Sequence, residues 1–128
     1  MNLPQSAVLL AAFLVLVGSV SSAQSDLDPD LMLAIEDANK SLASNVAIKD
    51  IKGSVANARE LDEMFGKVEV FFVEKGEAHD AIDLSRKSRA LSQGIVKSVE
   101  SGDFEAATNA ATDLSRTCRT CHTFYKKS

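Results

Sequence analysis

Apolar residues spaced three and four positions apart run through most of this chain, and they constrain its fold more than any other feature. Between residues 28 and 126 no segment alternates apolar and polar residues in the period of two that strands require, and Pro29 is the one proline. A spacing near 3.6 residues is typical of amphipathic helices, each with one apolar face. The sequence therefore predicts an all-α domain.

Four helices are predicted, and residues that start or stop helices bound them; they span about residues 28–46, 50–75, 78–101 and 103–126. The run Asp28-Pro29-Asp30 combines an N-cap, a proline at the first helical position and an acid in the first turn. Gly76 and Gly102 can end the second and third helices, and Asp103 can cap the fourth. Short connections favour an antiparallel up-down-up-down four-helix bundle.

Each predicted helix has one apolar face that should point into the bundle. The residues expected on these faces are Leu31, Met32, Ile35, Ala38, Leu42 and Val46 on helix one, Ile51, Val55, Ala58, Leu61, Phe65, Val68 and Phe72 on helix two, Ala81, Leu84, Ser88, Leu91, Ile95 and Val99 on helix three, and Phe104, Ala107, Ala111, Leu114, Cys118, Cys121, His122 and Tyr125 on helix four. Alanine contributes much of the helix-four face. Because alanines fill little volume, this suggests that something else occupies space beside helix four.

The first 23 residues have the features of a secretory signal peptide. An apolar run from Ala7 to Val20 is too short to cross a bilayer comfortably, and it ends in Ser21-Ser22-Ala23, which has small residues where a signal peptidase cleaves. Residues 1–6 contain no Lys or Arg, so an uncleaved membrane anchor is the alternative. We expect a signal peptide over residues 1–23 and a helical domain over 24–128 in the periplasm or another extracytoplasmic space.

Charge and composition restrict the function. The formal net charge of -4 argues against a nucleic-acid partner, which would need a basic face. The sequence has neither a Gly-rich phosphate loop nor a Ser-His-Asp set, so we do not expect a hydrolytic or group-transferring enzyme. Two cysteines are too few for the disulfide framework of many small secreted domains.

The cysteines belong to the motif C-x-x-C-H, formed by Cys118, Cys121 and His122. This is the attachment signature of c-type haem. Two thiols one helical turn apart can add to the two vinyl groups of a porphyrin, and the next residue supplies an imidazole to the iron. The motif therefore predicts one covalently attached haem on Cys118 and Cys121, with His122 as the proximal iron ligand.

Other interpretations of the motif fit less well. A thioredoxin-like pair starts a helix after a strand. A zinc site would need the distant His79, and adjacent side chains such as Cys121 and His122 point about 100° apart on a helix. A disulfide within one helical turn has poor geometry. The remaining alternative is a helical binding protein without a redox role, in which the motif is accidental.

A secreted helical domain with C-x-x-C-H in its last turns resembles the class II cytochromes c, the cytochrome c′ family. The resemblance is most specific over residues 101–127, where S-G-D-F opens the last helix and C-R-T-C-H-T-F-Y-K-K closes it. It implies a four-helix bundle that carries electrons between redox partner proteins through one haem. It also allows for a homodimer, since dimers are common among such proteins.

The same resemblance implies surroundings for the haem. Tyr125 and Lys126 stand three and four positions after the histidine, where the family has an aromatic or basic pair. Arginine is more frequent at the second place, and Lys126 keeps its charge but lacks its planar fork. Phe71 and Phe72 fall where relatives often have an aromatic wall, although ordinary core is an equal interpretation.

Leu31-Met32-x-x-Ile35 matches the helix-one pattern that places a Leu or Met over the open face of the iron in this family. Met32 is thus the candidate distal ligand, although Asp28 stands where the family usually has arginine; alternatively, Met32 only packs against the macrocycle. With Met32 bound, the iron would be six-coordinate and suited to electron transfer. Without it, the protein would resemble a five-coordinate cytochrome c′ that binds nitric oxide or carbon monoxide. His79 is expected at a solvated helix start.

Cations cluster near the end of the last helix; they are Arg116, Arg119, Lys126 and Lys127. Such a ring at the haem edge could steer an acidic redox partner toward it. Cations near a helix C-terminus also complement the helix dipole, and this explanation is equally good.

Overall fold

The computed structural model describes residues 27–76 and 78–125, and in these residues the chain forms α-helices and no strand. The helices are α1 (Pro29–Ala47), α2 (Ile51–Lys75), α3 (His79–Glu100) and α4 (Phe104–Tyr125). All four predicted helices are confirmed, with bounds within about one residue of the prediction. The expected signal peptide, Lys126 and Lys127 lie outside the described residues, as does the side chain of Tyr125. In the part of the chain that the structure describes, no helix is long and apolar enough to cross a membrane.

The helices pack as the predicted antiparallel bundle. Helix α1 contacts α2, α2 contacts α3, α3 contacts α4, and α4 returns to α1. Because the connections are short, consecutive helices run in opposite directions. The start of α1, the end of α2, the start of α3 and the end of α4 therefore lie together, at what we call the cysteine end of the bundle.

The predicted start and stop residues act as expected. The side chains of Asp28, Asp50 and Asp103 each accept a hydrogen bond from a backbone N–H in the first turn of the next helix, at 2.9 to 3.0 Å. Gly76 and Gly102 follow α2 and α3 with φ values of 81° and 77°. These left-handed conformations suit glycine because it has no Cβ.

The large and fully buried aliphatic side chains lie in the middle of the bundle and in the half away from the cysteine end; they are Leu42, Leu61, Ile95, Val99 and Leu114. Toward the cysteine end the buried face of α3 consists of small residues, Ala81, Ser85 and Ser88. The two serine hydroxyls donate hydrogen bonds to carbonyl oxygens one turn earlier in α3, at 2.7 and 2.8 Å. Their burial therefore leaves no polar group unpaired.

Two expectations about the core were wrong. Ile51 is 52 % exposed, because it is the first residue of α2 and lies at the end of the bundle. The alanines of α4 do not mark space beside the cysteines. Ala107 and Ala111 lie in the first half of that helix, away from the cysteine end, and pack in the same cluster as Leu42 and Val99. Larger side chains from neighbouring helices supply the volume there.

A ladder of polar contacts joins α2 to α3. Arg89 donates to Asp62 at 2.9 Å and to Glu69 at 3.2 Å, Arg86 donates to Glu69 at 2.9 Å, and Gln93 donates to Asp62 at 3.1 Å. The hydrogen bond from Arg86, together with Arg89, lowers the pKa of the Glu69 carboxyl. This ladder fixes the register between α2 and α3.

Candidate functional site

The C-x-x-C-H motif occupies the last two turns of α4. Cys118, Cys121 and His122 are all half-buried, and Cys118 packs against the hydrophobic core. Residues three apart on a helix lie on the same face, so the two thiols lie one above the other. Both cysteines are free thiols. The motif therefore presents two thiols and an imidazole from the inner side of one helix.

Burial changes the chemistry of the thiols. Desolvation, with a smaller contribution from Cys121, raises the pKa of Cys118 to about 11. Desolvation also raises the pKa of Cys121. A thioredoxin-like pair needs the opposite shift, because the thiolate is its nucleophile. The position near the end of a helix and the raised pKa values both argue against the redox-pair interpretation.

The structure brings Met32 to the level of His122 along the bundle. Asn39 of α1 donates a hydrogen bond to the Ser115 hydroxyl of α4 at 3.2 Å, so these two residues lie at the same level of the antiparallel helices. Met32 lies seven residues before Asn39, and His122 lies seven residues after Ser115. Seven residues rise about 10 Å and make nearly two whole turns. Met32 and His122 therefore share one level and both lie near the seam between α1 and α4.

Both side chains of this pair are half-buried. The seam in which they lie is the least extensive of the four contacts between neighbouring helices. A flat group can enter between two helices more readily where their contact is limited, because fewer packed atoms must separate. The α1–α4 seam is thus the least extensively packed of the four seams.

The other predicted surroundings also lie at the cysteine end. Phe72 is buried near the end of α2 and meets the ring of Phe71 edge to face, with centroids 5.1 Å apart. Lys75 lies over the Phe71 ring, with 5.8 Å between Nζ and the ring centroid. Tyr125 is the last residue of α4. Phe72 is thus a core residue at the cysteine end of the bundle. This position agrees with an aromatic wall for the haem and with ordinary core packing.

The residues at this end fit a covalently bound haem. The imidazole of His122 and the thioether of Met32 lie near one seam, Cys118 packs against the core, and the buried residues of α3 at this end are small. Half-buried apolar side chains complete the surroundings; these are Leu31, Met32, Phe71 and Cys118. For such a group, the protein would need to provide only the imidazole of His122 and the thioether of Met32 as iron ligands.

A site made of protein ligands alone has no comparable support. Over residues 27–76 and 78–125, no group of three or more His, Cys, Asp and Glu side chains is arranged to hold a metal ion. His79 is exposed in the first turn of α3, which confirms the expectation of a solvated helix start. The zinc interpretation therefore lacks a ligand set among these residues.

The surface cations of α4 are exposed. Arg116 pairs with Asp113 one turn earlier, at 3.3 Å, and Arg119 is exposed one turn later. The pairing partly offsets the charge of Arg116, but exposed pairs of this kind are weak. Phe124 is 64 % exposed in the last turn of α4. The last turns of α4 thus expose both an aromatic ring and positive charge.

Asn39 and Ser115 were not singled out by their sequence pattern. Each is a polar residue that directly follows a core-facing one, Ala38 or Leu114. That position places a side chain beside the apolar face, where it can reach the neighbouring helix. It does not identify the partner, because the register between α1 and α4 depends on how the whole bundle packs.

Comparison with known proteins assigns no family to this chain. No protein-family model, curated protein or solved structure matches it.

Proposed function

We propose that this protein is a c-type cytochrome that carries electrons between redox partner proteins in the periplasm or another extracytoplasmic compartment. One haem would be held covalently by Cys118 and Cys121, with His122 as its proximal ligand. One observation carries the proposal: the C-x-x-C-H motif is half-buried on the inner side of α4, and Met32 lies at the level of His122 across the seam. Bound there, haem would supply a one-electron iron couple.

Each residue would have a distinct task. Cys118 and Cys121 hold the group in place through thioethers, and His122 provides the imidazole. Met32 provides a thioether from the opposite helix, and such a ligand favours the reduced iron and raises the potential. The ligands lie on two helices of one bundle, which limits their movement when the iron changes oxidation state. Phe72 and Ala81, both buried, help to exclude water from this end.

The first experiment measures covalently bound haem. The full chain is produced together with a haem-attachment system, and the purified protein is denatured and tested for haem that resists extraction. We expect one haem per chain, one thioether in either Cys118→Ser or Cys121→Ser, and none in the double variant. Thr120→Ser is the matched control, because Thr120 lies within the motif but is exposed. Wild-type chain without covalent haem would refute the proposal and favour a helical binding protein without a redox role.

The alternative function is reversible binding of nitric oxide or carbon monoxide by a five-coordinate iron. It is favoured by the partial exposure of Met32, whose flexible thioether can move aside in a seam of limited contact. A spectrum of the ferric protein distinguishes the two functions. A low-spin spectrum with a weak far-red sulfur-to-iron band, lost in Met32→Ala, supports the electron carrier. A high-spin spectrum that shifts on adding nitric oxide supports the gas-binding protein.

A further inference from the structure

The four seams of the bundle are secured to different degrees. Side chains of α3 donate four hydrogen bonds to Asp62 and Glu69 of α2. The α1–α4 seam has less extensive packing, and across it Asn39 donates to Ser115. When packing is limited, a single directional contact has more influence on how two helices align. This hydrogen bond is therefore one of the contacts that set the axial position of α1 relative to α4, beside the packing of the buried side chains of α1.

The alignment matters because Met32 and His122 are on different helices. A slip of one residue would move Met32 about 1.5 Å along the seam and rotate it about 100° around α1. Distances between metals and their ligands tolerate only about 0.2 Å of variation. Asn39 and Ser115 are each two turns from the residue that they would align. Small errors in the register would therefore be enough to separate the thioether from the iron.

We propose that Asn39, through Ser115, is a positioning residue that holds Met32 opposite His122. In this way it favours the six-coordinate electron carrier over the five-coordinate form that binds gases. The inference rests on the proposed function and adds a residue that determines which of the two forms predominates. Asn39 does not touch the iron; it acts on Met32 through the alignment of α1 and α4.

The test compares two asparagines of α1 in the haem-loaded protein. Asn39→Ala removes the bond to Ser115, and Asn45→Ala removes a bond of 2.7 Å to Asn57 on the α1–α2 seam. Both asparagines are half-buried, so the substitutions are closely matched. We expect Asn39→Ala to shift the equilibrium toward detached Met32 by about fivefold, the usual effect of one lost hydrogen bond.

Several measurements would detect that shift. The far-red sulfur-to-iron band should weaken, a high-spin component should appear, the midpoint potential should fall, and more carbon monoxide should bind. Asn45→Ala should leave these four properties unchanged, even if it lowers the unfolding temperature as much as Asn39→Ala does. Exchanging the pair, as Asn39→Ser with Ser115→Asn, should restore the band. Amide hydrogen exchange, which does not depend on the iron, should become faster in the first two turns of α1 in Asn39→Ala only.

Failure of this inference can be separated from failure of the proposed function. If Met32→Ala abolishes the far-red band but Asn39→Ala preserves it, Asn39 has no positioning role and the electron carrier stands. The same conclusion follows if Asn45→Ala weakens the band as much as Asn39→Ala does. If the spectrum of Met32→Ala is the same as that of the wild type, Met32 is not an iron ligand. The positioning role proposed for Asn39 is then wrong as well.

Discussion

Leu114 is the large aliphatic side chain through which α4 packs against the other helices, and it is fully buried. The other buried residues of α4 are small; they are Ala107, Ala111 and Thr117. Leu114→Ala removes three carbons, which costs about 2.4 kcal/mol in lost transfer free energy. The cavity left behind raises the expected loss to about 3 kcal/mol. That is a large part of the roughly 5–15 kcal/mol that stabilises a domain.

Urea and thermal unfolding of the full chain, followed by far-UV circular dichroism, would measure this loss. For a domain of this size the unfolding temperature should fall by about 10–20 °C. Leu33→Ala is the matched control, because Leu33 is 57 % exposed on α1 and its truncation should cost less than about 0.5 kcal/mol. A loss below about 1 kcal/mol for Leu114→Ala, or an equal loss for Leu33→Ala, would refute the reasoning. The face of α4 that carries the cysteines would then not be its packed face.

Two further predictions follow from the titrating groups. Hydrogen bonds from Arg86 and Arg89 lower the pKa of Glu69 below its ordinary value of 4.5. The ionised carboxylate therefore stabilises the fold at pH values above 4.5. This stability is lost as the pH falls through the lower pKa of the folded state. Urea unfolding across this acid range should therefore show a weaker pH dependence in Glu69→Gln, and an unchanged dependence would contradict the role of this network. Burial raises the pKa of Cys118 from 9.0 to about 11. In the chain without haem, the fraction of Cys118 present as thiolate at neutral pH is therefore about a hundredfold lower in the folded state than in the urea-unfolded state. Iodoacetamide labelling followed by mass spectrometry should be slower in the folded chain by at least about tenfold, since the greater nucleophilicity of a thiolate of higher pKa offsets part of the change; equal rates would show that the thiol is exposed.

The helices could be predicted from the sequence because their signals are local. Asp28, Asp50 and Asp103 bond to backbone groups within one turn, and Gly76 and Gly102 adopt conformations that few other residues tolerate. The predicted bounds were correct for this reason. The error at Ile51 has a different origin: a helical pattern shows which face is apolar but not where the neighbouring helices end.

The candidate site could be predicted only in part. The spacing of Cys118, Cys121 and His122 is a local property, and the half-burial of all three on α4 agrees with it. The level of Met32 depends on the register between α1 and α4, which no local pattern encodes. The contact between Asn39 and Ser115 shows that Met32 lies at the level of His122. For the same reason, the small residues of α3 were not recognised as neighbours of the motif.

The two sides of the bundle divide the tasks of stability and alignment. On one side, Arg89 bridges Asp62 and Glu69 and locks α2 to α3 without contacting a candidate ligand. On the other side, α1 and α4 carry Met32 and His122 and have the less extensive contact. A substitution at Arg89, Asp62 or Glu69 should therefore lower the free energy of unfolding and leave Met32 aligned with His122. A change at Asn39 should instead alter this alignment more than the free energy of unfolding, because a half-buried hydrogen bond adds little to stability but would fix a distance that the proposed iron ligation requires.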